Sequence, residues 1–131
     1  MPKAHLDMLL VEEQSLLRKT VAMTARSLDM GVIHEASSMQ SAERMLGERA
    51  FCGAVISLDS GGSQSLALLD RVRDGRSASM PTIPIAVMVD QATVELMVKL
   101  RALEVSRVIL KPFRAKILLE AFESFRATPQ R

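Results

Sequence analysis

Lys111 is preceded by the apolar run Val108-Ile109-Leu110 and followed at once by Pro112 and Phe113. A proline cannot continue a strand's hydrogen-bond ladder, so it ends the strand and leaves the lysine at its carboxyl end. Near the other end of the chain, Glu12-Glu13 closes a second apolar run, Leu9-Leu10-Val11. In an open α/β sheet, chemistry collects at the carboxyl edge of the strands. Two acids at one strand end and a lysine at another predict one polar pocket on one edge of one sheet. An exposed lysine at a turn is the simpler account of Lys111 alone; the acids at the matching position favour the pocket.

The elements that must position these residues follow a regular order. Leu6–Val11, Val32–Glu35, Gly53–Leu58, Ile83–Val89 and Arg107–Leu110 read as short apolar strands. Ser15–Leu28, Ser38–Arg49, Leu66–Arg73, Ala92–Leu103 and Ala115–Arg126 read as helices, with helical spacing of their apolar residues. The inward stripes are Leu17, Val21, Thr24 and Leu28 in the first helix and Leu118, Phe122 and Phe125 in the last. Asp59–Ser65 and Gly75–Thr82 read as loops. Strict alternation of strand and helix predicts parallel strands, right-handed crossovers and helices on both faces, a doubly wound α/β fold.

Bulk properties bound the rest. The chain has 131 residues, enough for one domain, with a core over about 6–126 and a tail at 127–131. Its hydrophobic content is 48%, yet no apolar run approaches the roughly 20 residues of a spanning helix. No signal-peptide core is present, and one cysteine, Cys52, fits a reducing cytosol; a cytoplasmic protein without membrane contact is expected. A net charge of +2, dispersed, with no Trp or Tyr, argues against nucleic-acid binding.

These segments together resemble the response-regulator receiver domain of two-component signalling, the fold of the chemotaxis regulator. The likeness runs from Leu6 to Phe125 and is carried by Leu9-Leu10-Val11-Glu12-Glu13, Gly53-Ala54-Val55-Ile56-Ser57, Leu66–Arg73, Ile83–Val87 and Val108–Phe113. It implies strand order 2-1-3-4-5. It also implies an acidic pair that holds magnesium, an aspartate after the third strand that accepts a phosphoryl group, a Ser or Thr ending the fourth strand, and the lysine before proline. Carboxylate oxygens suit magnesium, and metal and lysine together neutralise charge on a transferring phosphoryl.

The sequence keeps Glu12, Glu13 and Lys111 and departs elsewhere. Counting along the third strand puts Leu58 at the acceptor position; counting back from the following helix puts Ser57 there. Neither is aspartate. Asp59 follows one residue later and is the remaining acceptor candidate. Val89 stands at the hydroxyl position, Glu104-Val105 replaces the usual small pair, and Val108 stands at the aromatic switch position. The resemblance is therefore to an atypical receiver, or pseudo-receiver, with no required cofactor. Glu12 and Glu13 remain as weak magnesium ligands.

The expected function is signalling by protein–protein contact, with no enzymatic role. The partner would be a histidine kinase, a phosphotransferase or a downstream regulatory protein, and no output domain is expected after the last helix. The helix 92–103 carries more apolar residues than one buried stripe needs. The surplus, Leu96, Leu100 and Leu103 or the opposite set, with Leu119 on the last helix, predicts an interface and a homodimer. Two alternatives stay open: a phosphorylatable receiver using Asp59 and magnesium, and a sensor of a small phosphate ligand such as a cyclic dinucleotide, bound through Arg71, Arg73 or Arg76. A solvated helix end also accounts for that basic run. His5 and His34 lack partners at metal-ligand spacing and are expected at the surface or a sheet edge.

Overall fold

The computed structural model describes residues 7–58 and 62–127, with the backbone alone at 62, 63, 126 and 127. Ten elements alternate along the chain. The strands are β1 (Asp7–Val11), β2 (Val32–Ala36), β3 (Gly53–Ser57), β4 (Ile85–Val89) and β5 (Arg107–Leu110). The helices are α1 (Ser15–Ser27), α2 (Met39–Glu48), α3 (Gly62–Arg73), α4 (Val94–Ala102) and α5 (Ala115–Ala127). The five strands form one parallel sheet in the order β2-β1-β3-β4-β5.

The pleat divides the core in two, because successive strand residues face opposite sides. Leu9 and Val11, Ala54 and Ile56, and Ile85, Val87 and Val89 share one side with Ala42 and Leu46 of α2, Leu68, Leu69 and Val72 of α3, and Leu100 of α4. Met8 and Leu10, Val55, Met88 and Ile109 share the other with Val21, Ala22 and Ala25 of α1 and Leu118, Phe122 and Phe125 of α5. A strand buried on both faces cannot alternate apolar with polar residues, which is why β3 and β4 read as unbroken apolar runs.

Several boundaries and faces differ from the sequence reading. The buried stripe of α1 is Val21, Ala22 and Ala25, with Thr24 at its margin; the two alanines bring the helix close to its neighbours. Helix α3 begins at Gly62, before the expected Leu66. Strand β4 begins at Ile85, not Ile83: Pro84 has no N–H to give, although its carbonyl accepts from Ala54 N at 3.1 Å.

Gly53 opens β3 against the ring of Phe125. A Cβ at this position would lie 3.1 Å from Phe125 Cδ2 and 3.5 Å from the Pro84 carbonyl. Phe125 is itself held edge-on to Phe122, with ring centroids 6.1 Å apart, so it has little room to yield. Gly53→Ala is expected to cost about 1–3 kcal/mol as overpacking, read as a lower urea midpoint with an unchanged slope. No change in midpoint would mean that the Phe125 ring swings aside freely.

Candidate functional site at the carboxyl edge

The carboxyl end of β1 delivers Glu12. Its backbone N–H donates to Ala36 O at 3.1 Å, which continues the β1–β2 ladder, and the residue is 3% exposed. Its two carboxylate oxygens have different partners. Oε2 accepts from the backbone N–H of Gln14 at 2.9 Å, at the cap of α1, and Oε1 accepts from Lys111 Nζ at 2.9 Å. Arg18, one turn into α1, donates from Nη1 to the Glu12 carbonyl at 3.0 Å and from Nε to Glu35 at 3.1 Å, which ties helix, loop and β2 together.

Lys111 is delivered by β5. Its N–H donates to Val89 O at 2.8 Å, so the ladder carries it one residue past the strand. Its side chain turns inward, 12% exposed, and Nζ donates to Glu12 Oε1 and to Ser57 Oγ, the latter at 3.0 Å. Ser57 is 8% exposed at the end of β3. Taking a buried lysine and glutamate out of water is tolerated only when their hydrogen bonds are satisfied. Among the described residues, every buried side-chain polar atom has a partner.

The site residues named from sequence therefore separate. The structure brings Glu12, Ser57 and Lys111 together. Leu58 and Val89 are buried in the core on the α2–α3–α4 side, away from that group. Glu13 is exposed at the rim. Asp59 lies outside the described residues, as does His5. The pleat puts Ser57, and not Leu58, on the side of the sheet that carries Lys111. Ser57 pairs with Met88, which pairs with Ile109, and Lys111 follows Ile109 on that same side. The parity of positions 10, 12, 55, 57, 109 and 111 was present in the sequence, but it could be used only once the strand register was known. Arg18 was missed because nothing in its local pattern marks it.

Magnesium is the ion that the resemblance implies, and these residues do not fit it in this arrangement. A hard divalent ion takes about six oxygens at near-octahedral positions. Both Glu12 oxygens are engaged, and the Lys111 ammonium bridges Glu12 and Ser57. Among the described residues no three His, Cys, Asp or Glu side chains cluster as a metal site.

The expected interface and ligand residues are also redistributed. Leu100 is buried, at 1% exposed, and Leu96 and Leu103 pack against the core, so none of the three forms an outer surface. The exposed apolar set on α4 is the opposite one: Val94, Met97 and Val98. It lies beside a groove of about 430 Å³ that reaches Val105 and Val108. Leu119 is exposed on α5, next to Arg107, Lys116, Glu120 and Glu123. The Arg73 guanidinium is engaged by backbone, whereas Arg76 is exposed among surface ion pairs. Arg73 gives four hydrogen bonds to backbone carbonyls, and Arg76 pairs with Asp74 at 3.0 Å and Asp70 at 3.7 Å. His34 sits on edge strand β2, 3.1 Å from Asp7 and edge-on to Phe51.

The fold is that of receiver domains. The chain superposes on the non-phosphorylated HemR receiver domain of Leptospira biflexa with a TM-score of 0.82 at 21% identity, covering 96% of this chain and 98% of that one. The chemotaxis protein CheY4 of Vibrio cholerae matches with a TM-score of 0.79 at 16% identity, over 93% and 99% of the two chains. An orphan response regulator of H. pylori matches with a TM-score of 0.78 at 20% identity, over 95% and 98%. No protein-family model matches the chain, and no curated protein is similar to it in sequence. The chain thus has the response-regulator receiver fold, and no described helix is long and apolar enough to cross a membrane.

Proposed function

We propose that this chain is an atypical receiver of two-component signalling that works by docking to other proteins in the cytoplasm, without a phosphoacceptor and without enzymatic activity. The observation that carries this reading is Ser57, whose hydroxyl accepts the Lys111 ammonium at 3.0 Å in the place where a carboxylate would be needed. A serine there cannot form an acyl phosphate. Partners of the histidine kinase, phosphotransferase or downstream regulator class follow from the likeness to two-component receivers.

The test is incubation with acetyl phosphate and magnesium followed by intact mass measurement. No added phosphoryl group is expected. An adduct that disappears in Asp59→Asn would overturn the reading and make Asp59 the acceptor.

The docking surface we propose is the one formed by α4, β5 and α5. Val94 and Val98 are 82% and 63% exposed there, more than a surface helix with nothing to bind needs. Arg107 and Lys116 lie beside Glu120 and Glu123, so the face offers both charge signs to a second copy. A stable dimer would bury at least about 1,000 Å² in total. Val98→Asp or Leu119→Asp is expected to shift the species towards monomer in light scattering, or to abolish partner pull-down, with the melting temperature unchanged. A monomer at every concentration, with pull-down unaffected by either charge, would place the docking surface elsewhere.

A further inference from the structure

Arg73 ends α3, and its guanidinium joins three separate segments. Nη1 donates to Pro81 O at 2.6 Å and Ile83 O at 2.8 Å, on the approach to β4. Nε donates to Leu103 O at 2.8 Å, and Nη2 to Glu104 O at 3.0 Å, on the turn that closes α4. The last carbonyls of a helix have no partner within the helix. Here the chain is also reversed by Glu104 in the left-handed region at φ 56°, with Val105 N donating back to Leu100 O at 3.2 Å. A planar guanidinium can reach carbonyls on several sides at once, and a lysine's point charge cannot. Burial draws the pKa of Arg73 down and Glu104 opposes that shift; the group stays charged, as arginine does in proteins.

The seating of α4 makes this bond set consequential. Of its nine residues only Leu100, near the C-terminal end, is buried. The N-terminal half has the Thr93 cap, whose Oγ1 accepts from Leu96 N at 3.1 Å, and Leu96 half-buried against the core. Val94, Met97 and Val98 are exposed along it. The helix is thus held firmly at one end and lightly at the other.

We propose that Arg73 is a positioning residue for the docking face: it fixes the C-terminal end of α4 as a pivot, about which the half carrying Val94, Met97 and Val98 swings over the groove beside β5. The proposal rests on the docking reading for its role in signalling, but the pivot itself is tested without a partner.

The experiment is hydrogen exchange on the full chain, comparing wild type with Arg73→Met and Arg73→Lys. Loss of hydrogen bonds from a charged donor is expected to speed exchange of the α4 amides and of residues 103–106 by about tenfold or more. The amides of β1, β3 and α1 are expected to stay within roughly threefold of wild type. Arg73→Lys, which keeps the charge and loses the fork, is expected to show the same local pattern and also guards against a Met variant that fails to fold. Uniform acceleration across β1, β3 and α1 would overturn the proposal, because Arg73 would then support global stability alone. So would unchanged α4 exchange in either variant, or full protection restored by lysine. Failure of the docking reading registers separately, in the Val98→Asp pull-down.

Discussion

Lys111→Met should destabilise the domain by about 3–5 kcal/mol, the usual effect of removing one member of a buried ion pair. Read from the sequence as a partly buried charged hydrogen bond, the same change suggests a smaller loss, about 1–3 kcal/mol. Burial changes that expectation. The Glu12 side chain is 4% exposed and that of Lys111 12%, so methionine would leave a carboxylate in the interior with its main counter-charge gone. The Gln14 amide and the wider loop cannot replace a full positive charge. The double variant Glu12→Leu, Lys111→Met removes both charges and should recover to within about 1–2 kcal/mol of wild type, because a desolvated pair of charges and an apolar pair of similar volume differ little. Urea unfolding of the four species of the cycle gives the answer directly. A loss below about 1 kcal/mol for Lys111→Met would show the pair behaving as an exposed salt bridge, with solvent reaching Glu12.

Ser57→Asp should convert the pocket's behaviour rather than weaken it. A carboxylate at that position would join Glu12 within reach of Lys111, giving two acids to one lysine, with Glu13 at the rim. Without divalent ions the added like charge should lower the melting temperature. With millimolar magnesium the third oxygen donor should create an ion site, and binding at a hundredfold over Kd stabilises the folded state by about 2.7 kcal/mol. In a domain of this size that is a rise of several degrees, on the order of 4 °C or more. Acetyl phosphate should then add a phosphoryl group that hydroxylamine removes, the signature of an acyl phosphate. Leu58→Asp is the control, since Leu58 packs into the opposite core and should only destabilise. If Leu58→Asp gains magnesium binding and Ser57→Asp does not, the placement of Ser57 at the reactive position is wrong.

Much of the architecture was legible because buried parallel strands leave a simple trace. Val55 and Ile56, or Val87 and Met88, have no polar neighbours to alternate with, since helices cover both faces. Glu12 and Lys111 were legible for the opposite reason: a charge directly after such a run has to emerge at a strand end. What stayed hidden depends on distances between remote segments. Ser57 and Leu58 differ by one residue in a count, and only the register with Met88 and Ile109 separates them. The apolar surplus of α4 was visible, but which side the sheet takes was not, because Leu96 and Val98 are equally apolar and nothing local tells them apart. Arg73 looked like a cation at a helix end because its acceptors, the carbonyls at 81, 83, 103 and 104, carry no side-chain signature at all.

Strand β5 closes one margin of the sheet with four residues, Arg107 standing exposed at its start and Pro112 soon after its end. So short and charged a margin gives an incoming strand little ladder to extend, which is how natural sheets avoid templating fibrils. Contact with another molecule on this flank is therefore restricted to side chains from α4, β5 and α5. Val94 and Val98 are thus uncovered on a helix beside a margin that gives a fibril little to template.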